Sequence, residues 1–167
     1  MHSLNRSINY QFIKKKGTRI KVSNEAKSFT VIKNDLSGYN IQSGGMSKPE
    51  DCVANVKVAL IIPYRDREEN LKIFLNHMHP FLKKQQLDYG IFLVEPLKNL
   101  QFNRALLMNI GFLESLKITK DHWDCFIFHD VDLLAEDERN IYNCGEQPRH
   151  MSAAVSTMNY KYIFILF

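Results

Sequence analysis

The stretch "VKVALIIPYRDREENLKIFLNHMHPFLKKQ", residues 56–85, decides the fold. It opens with an apolar run, residues 56–63, that is rich in β-branched side chains and ends at a proline. Such a run is typical of a strand that is buried on both faces. Four apolar side chains then recur at i, i+3, i+4 and i+7: Leu71, Phe74, Leu75 and Met78. This spacing predicts an amphipathic helix directly after the strand.

The alternation of strand and helix continues along the chain. Further strands are predicted at "YGIFLVE", residues 89–95, and at "DCFIFHD", residues 124–130. Between them "NRALLMNIGFLESL", residues 103–116, is predicted to be a helix with three apolar side chains on one side: Leu106, Ile110 and Leu113. Strands joined by helices through short links predict an α/β domain with a mainly parallel sheet. Two short strands are also predicted, at residues 28–34 and 150–156.

Composition excludes some classes of protein. The formal net charge of the 167 residues is +4, which is too small to indicate a nucleic-acid-binding protein. Residues 1–50 are rich in Ser, Asn and Lys and are predicted to be poorly structured. Their basic cluster "KKKGTRIK", residues 14–21, fits a nuclear signal or an anionic-surface patch, although we favour a solvated face or flexible arm. The sequence shows neither the apolar core of a secretory signal nor the ~20 apolar residues of a membrane-spanning helix.

Polar motifs follow the predicted strands. "PYRDR", residues 63–67, comes after the first strand, and "QFNR", residues 101–104, opens the second helix. Ligands of parallel α/β sheets bind beyond the carboxyl ends of the strands. Arginines at the start of a helix add bidentate phosphate contacts to backbone amides that already favour anions. The plainer alternatives are a helix start with exposed salt bridges for the first motif and a helix N-cap at Asn103 for the second.

The acidic motif "HDVD", residues 129–132, follows the third strand. If the chain stays extended there, Asp130 and Asp132 share a face and Val131 points the other way. Carboxylates so placed are ligands for Mg²⁺ or Mn²⁺, which commonly complete their shells with substrate phosphates. A solvated acidic turn or a helix cap is the alternative.

With these motifs in view, the chain resembles the β-1,4-galactosyltransferase family of Golgi glycosyltransferases. The resemblance runs from about residue 44 to residue 161 and rests on "KPEDC", "VALIIPYRDREENLKIFLNHMHPFL", "QQLDYGIF", "FNRALLMNIGF", "WDCFIFHDVDLL" and "CGEQPRH". It implies a GT-A (Rossmann-like) fold and an inverting, Mn²⁺-dependent transfer from UDP-galactose or UDP-N-acetylgalactosamine. The implied acceptor is a GlcNAc- or Glc-terminated glycan of a glycoprotein or glycolipid. The implied location is the Golgi lumen, with a type II membrane anchor that is missing from this chain.

The resemblance also assigns residues. The donor contacts that it implies, together with Asp130 from the acidic motif, are Pro63, Tyr64, Arg65, Asp66, Arg67, Phe102, Asn103, Arg104, Asp130, Val131 and Asp132. Asp132 matches the Mn²⁺ ligand, and Asp130 is expected to meet the sugar or ribose side of the donor or to support the site. Cys125 and Cys144 match a family disulfide. Cys52 matches a half-cystine whose partner lies further upstream, where this chain has no cysteine.

The resemblance divides the chain into three parts. Residues 1–50 are expected to be stem-like, residues 51–161 to be the donor-binding part of a galactosyltransferase catalytic domain, and residues 162–167, "YIFILF", to be an apolar tail outside the family pattern. The acceptor motif, the catalytic base and the remaining Mn²⁺ ligands of the family follow later in its sequence. We therefore expect the chain to lack the acceptor half and its activity to be doubtful. The first alternative is an enzyme of which this chain is a truncated part. The second is a non-catalytic product, either a UDP-binding truncated isoform or a regulatory partner of the full-length enzyme.

Overall fold

The computed structural model describes residues 18–118 and 122–161. Its helices and strands, in chain order, are α1 (Phe29–Asp35), β1 (Met46–Ser47), β2 (Lys57–Pro63), α2 (Glu68–Lys84), β3 (Asp88–Val94), α3 (Arg104–Ile118) and β4 (Cys125–Phe128), with 3-10 turns at Ser37–Tyr39 and Ser156–Met158.

The four strands form one sheet in the order β1-β3-β2-β4. β2 runs parallel to both β3 and β4, whereas β1 is antiparallel to β3. The prediction of an α/β domain with a mainly parallel sheet is confirmed. Pro63 pairs with Val94, and Ile61 pairs with Phe128, so the three parallel strands end at the same edge of the sheet.

β2 is the centre of the core. Its residues 58–62 are fully buried, which explains the apolar run in the sequence. One side of β2 joins the cluster that includes three side chains of α2: Phe74, Met78 and Leu82. The other side, with Ala59 and Ile61, packs with Trp123. Gly111 of α3 also lies against Ile61 on this second side, so helices cover both faces of the sheet and the links between strands and helices are left at its edge.

The helix α3 turns a different face to the sheet than predicted. Leu106, Ile110 and Leu113 are exposed, and the buried side consists of Leu107, Met108, Gly111 and Ser115. A Cβ atom on Gly111 would lie 2.4 Å from Cγ2 of Ile61, so only glycine permits this close approach of helix to sheet. The buried face thus combines two large apolar residues with two small ones, and Gly111 allows the helix to approach the sheet closely.

Both of the predicted short strands, at residues 28–34 and 150–156, are wrong. Residues 28–34 fall largely within α1, where the Ser28 hydroxyl accepts a hydrogen bond from the Val31 amide and caps the helix. Ile32 is buried, and Lys72 of α2 lies over the Phe29 ring. Residues 29–47 are thus more regular than expected, and β1 extends the sheet. Residues 150–156 form no strand, and the 3-10 turn Ser156–Met158 begins at their end.

The remaining expectations about the chain have mixed outcomes. Cys125 and Cys144 form the expected disulfide, which ties β4 to the loop that follows it, and Cys52 is exposed with a free thiol. Among the described residues, no helix combines the length and apolarity that crossing a bilayer requires. The tail 162–167 and the first half of the basic cluster, residues 14–17, lie outside the described residues. The three-part division of the chain stays a prediction.

Candidate functional site

A cleft of about 490 Å³ opens where β2 and β4 end and α3 begins. All of the residues that the sequence nominated, except Tyr64 and Asn103, line it: Pro63, Arg65, Asp66, Arg67, Phe102, Arg104, Asp130, Val131 and Asp132. The topology explains this convergence, because the parallel strands β2, β3 and β4 end at one edge of the sheet. Three motifs that are far apart in sequence therefore share one concave surface.

The link from β2 to α2 carries two of the cleft's arginines. Arg65 donates a hydrogen bond of 2.6 Å to the Leu100 carbonyl, and its guanidinium lies 5.7 Å from the centre of the Phe102 ring. It thereby joins the link after β2 to the link after β3. Asp66 has a φ of +49°, a left-handed conformation that aspartate tolerates better than most side chains. This bend places Arg67 at the start of α2.

Arg67 is the cation of the cleft that is open to a ligand. Its side chain is exposed, and within residues 18–118 and 122–161 it makes no hydrogen bond or ion pair. No side chain caps the first turn of α2, so the backbone amides there point outward without a side-chain acceptor. A guanidinium beside uncapped amides is a suitable arrangement for an anion, although Glu68 and Glu69 in the same turn already offset part of the helix dipole.

Tyr64 and Asn103 have structural contacts instead of facing the cleft. The Tyr64 amide donates to the Val94 carbonyl at 2.9 Å, and its side chain packs half-buried against the core. The Asn103 side chain accepts a hydrogen bond of 3.0 Å from the Leu106 amide at the start of α3. The N-cap alternative is therefore what the structure shows for Asn103. Direct donor contact by either residue stays a prediction.

The acidic motif does not continue as an extended strand. Val131 is buried in the core and borders the cleft from there, whereas the side chains of Asp130 and Asp132 line the cleft from more exposed positions. Val131 and Asp132 lie in a turn, and the Leu133 amide donates to the Asp130 carbonyl at 3.2 Å. Both Asp130 oxygens accept from Arg104, at 2.7 Å from Nε and 2.9 Å from Nη2. Asp132 is exposed, and no described residue bonds to its side chain.

His129 is a residue of this region that the sequence reasoning missed. It lies half-buried between the core and the acidic motif, with its ring 5.3 Å from the Phe74 ring and edge-on to it. Its Nδ1 is 2.8 Å from the Asp130 carbonyl oxygen, and its Nε2 is 2.8 Å from the Tyr142 hydroxyl. Burial lowers the pKa of His129, although the Asp130 carbonyl and the charges of Asp130 and Asp132 oppose that shift. Its position directly before Asp130, as the first residue of the acidic motif, is the one sequence signal that points to it.

Comparison with known proteins identifies the family. Residues 11–145 match the family described as the N-terminal region of glycosyl transferase group 7. The chain belongs to this family.

Its similar relatives are β-1,4-galactosyltransferases. The chain is 50% identical over 141 residues to β-1,4-galactosyltransferase 4 of Cricetulus griseus, a match that covers 81% of the chain and 40% of the relative. It is 43% identical over 141 residues to the Homo sapiens protein of the same name, with the same two shares. It is 48% identical over 126 residues to β-1,4-galactosyltransferase 1 of Mus musculus, covering 75% of the chain and 31% of that relative. The chain thus spans about two fifths, or less, of the length of these relatives.

A solved structure is also similar. It is a mutant of Drosophila β-1,4-galactosyltransferase 7 in complex with manganese, UDP-Gal and xylobiose. The identity is 38%, the match covers 59% of this chain and 38% of that one, and the TM-score is 0.47. The family match over residues 11–145 is what makes this chain a glycosyltransferase sequence by family.

The side chains of the cleft can be compared with what the Mn²⁺ implied by the resemblance would need. Among the described residues, no group of three or more His, Cys, Asp or Glu side chains is placed to hold a metal ion. Asp130 is already paired with Arg104, which leaves Asp132 as the carboxylate of the motif without a partner among those residues. A hard divalent cation is often bound by one or two carboxylates and completed by substrate phosphates. In this group 7 chain the residues therefore fit a cation shared with a bound phosphate, rather than one enclosed by protein ligands alone.

Proposed function

We propose that the cleft binds the diphosphate of a UDP-sugar together with Mn²⁺. The observation that carries this proposal is the placing of Arg67 and Asp132, which both lack side-chain partners among the described residues, on the walls of one cleft. Asp132 can bind a cation and Arg67 can bind an anion, and both side chains face the same space. This arrangement suits a metal–diphosphate complex better than a metal ion alone or a diphosphate alone. When bound, the Mn²⁺ would offset the charge of the departing UDP.

The other cleft residues have supporting tasks in this proposal. Arg65 and Phe102 form an amphipathic wall where a nucleobase can lie against a flat surface. Arg104 keeps the N–H groups of Nη1 for the donor, because its Nε and Nη2 are engaged by Asp130. Asp130 accordingly supports the site through Arg104, which was one of the two roles expected for it.

We further propose that the protein acts as an inverting β-1,4-galactosyltransferase. Its donor would be UDP-galactose or UDP-N-acetylgalactosamine, and its acceptor a GlcNAc- or Glc-terminated glycan of a glycoprotein or glycolipid. Support comes from the family of the chain and from the names of the relatives that it matches. The Golgi lumen is the location that this proposal implies.

The test is a titration of the chain with UDP, with and without Mn²⁺. Wild type should bind UDP more tightly in the presence of Mn²⁺. Asp132→Asn should lose that difference, because a neutral amide is a much poorer ligand for a hard ion. Asp51→Asn removes the same charge from an exposed position in the link before β2, and it should behave as wild type. Equal UDP affinity for all three proteins in both conditions would mean that the acidic motif is only a turn.

A further inference from the structure

Two aromatic side chains of the segment that the Cys125–Cys144 disulfide closes meet beside the two aspartates of the acidic motif. His129 directly follows the end of β4, and Tyr142 lies further along the same segment. The distance from His129 Nε2 to the Tyr142 hydroxyl is 2.8 Å. Tyr142 is buried in the core, while His129 is half-buried between the Phe74 ring and the backbone of Asp130. Neither residue lines the cleft itself.

Hydrogen-bond chemistry determines the direction of both contacts. A carbonyl oxygen only accepts, so His129 must carry its proton on Nδ1 in order to bond to the Asp130 carbonyl. In the neutral ring, Nε2 is then an acceptor, and it receives the hydroxyl proton of Tyr142. The lowered pKa of His129 is consistent with this neutral form. The chain of contacts runs from Tyr142 through His129 to the backbone of Asp130.

Tyr142 is itself firmly placed. Its amide donates to Oε1 of Gln85 at 2.8 Å, and Nε2 of the same glutamine donates to the Asn140 carbonyl at 3.0 Å. The Tyr142 ring packs edge-on against Phe81, with 5.3 Å between ring centres. The disulfide lies two residues further on. The end of α2 thus fixes Tyr142 independently of the acidic motif.

We infer that His129 and Tyr142 are positioning residues that hold the backbone of the acidic motif, so that Asp130 meets Arg104 and Asp132 faces the cleft. The inference rests on the proposed function of the cleft for its effect on binding. The inference also applies to the protein without a ligand, because a backbone that is fixed in position exchanges its amide hydrogens slowly with solvent.

The chain offers a matched control for the test. His79 and Tyr89 form a second pair of the same chemistry, with 2.7 Å between His79 Nδ1 and the Tyr89 hydroxyl. Both residues are buried, and Tyr89 belongs to the same core cluster as Tyr142. Tyr89 lies near the start of β3, at the opposite edge of the sheet from the cleft. Tyr89→Phe and Tyr142→Phe each remove a hydroxyl that bonds to a histidine ring, but only Tyr142 lies beside the acidic motif, and the Tyr89 hydroxyl also bonds to Ser47.

The experiment compares these two variants with wild type. In Tyr142→Phe, Mn²⁺-dependent UDP affinity should fall by about threefold to tenfold, which is the effect of one hydrogen bond. Amide hydrogens of residues 130–133 should also exchange faster. Tyr89→Phe should change neither quantity, although both variants lower the melting temperature. His129→Asn, which removes the acceptor for the Tyr142 hydroxyl, provides a second route to the same two changes.

The outcomes are distinguishable. If Tyr142→Phe and Tyr89→Phe have the same effect on UDP affinity and on exchange at residues 130–133, the positioning role is wrong. If wild type shows no Mn²⁺-dependent UDP binding, the proposed function fails, and the exchange rates alone decide the positioning role. Faster exchange confined to Tyr142→Phe and His129→Asn would support that role even then.

Discussion

Arg104 and Asp130 form a two-point ion pair that joins the first residue of α3 to the loop after β4. The two residues are 26 positions apart, and their side chains are partly exposed. An exposed pair of this kind contributes only ~0–1 kcal/mol to the free energy of unfolding. The pair instead fixes the orientation of the Arg104 side chain, because a planar guanidinium held at two points keeps its remaining N–H groups aimed at the cleft.

Arg104→Lys should therefore weaken UDP binding without a large loss of stability. Lysine keeps the charge but cannot make the two-point contact with Asp130. We expect UDP affinity to fall at least about threefold and the melting temperature to change little. Arg139→Lys is the control, since Arg139 makes a similar pair with Asp137 outside the cleft. Equal UDP affinity in the two variants would show that the Arg104 geometry does not matter for the ligand.

The disulfide between Cys125 and Cys144 should account for a large part of the stability. It closes a loop with a sequence separation of 19, which in the chain-entropy model contributes roughly 3 kcal/mol. Cys144→Ser should lower the free energy of unfolding by about that amount in chemical denaturation. Cys52→Ser replaces an exposed free thiol and should leave the free energy of unfolding unchanged. In a strong reductant, the free energy of unfolding of wild type should approach that of Cys144→Ser. Equal free energies of unfolding for the two proteins without reductant would contradict the expectation.

The sequence was sufficient to predict those strands and helices whose formation depends on burial alone. The interior residues of β2 are buried on both faces, and this leaves an unbroken apolar run that few other structures produce. The acidic motif was found for a similar reason, because charged side chains directly after such a run are out of place in a core. The shared edge of the sheet then brought the nominated residues together.

Elements that depend on neighbours could not be predicted in this way. Residues 29–32, "FTVI", favour a strand by propensity, yet Ser28 caps a helix there and Ile32 packs inward. The role of His129 was also hidden, because it depends on Tyr142, which is 13 residues away in the sequence. Periodicity reports which residues are apolar; it does not report which partner is close.

Gly111 of α3 is another residue whose close partners could not be predicted from the sequence, and its contact with the sheet can be tested by substitution. A Cβ at position 111 would lie 2.4 Å from Ile61 Cγ2 and 2.7 Å from Val94 Cγ2. Gly111→Ala should therefore destabilise the protein by about 1–3 kcal/mol through overpacking, despite the better helix propensity of alanine. Gly38→Ala adds a Cβ with no atom within 4 Å and should change the free energy of unfolding by less. The stabilities of the two variants and wild type are compared by thermal unfolding. A Gly111→Ala variant more stable than wild type would mean that α3 does not approach β2 this closely.

Acid should destabilise the protein through His79. Burial lowers the pKa of His79 from 6.5 to about 4. Between these values the unfolded chain binds a proton that the folded chain does not, so the free energy of unfolding falls as the pH falls. The contribution is complete above pH 6.5 and is lost progressively down to about pH 4, by roughly 3 kcal/mol in total.

The measurement is the free energy of unfolding between pH 7 and pH 4, compared among three proteins. His79→Gln does not titrate and should show a shallower slope than wild type over this range. Part of the slope should remain, because burial also lowers the pKa of His129. Tyr89→Phe removes the hydroxyl that contacts His79 but leaves the imidazole buried, so it should keep the slope of wild type. Identical slopes in wild type and His79→Gln would show that His79 is not the group that couples folding to protonation.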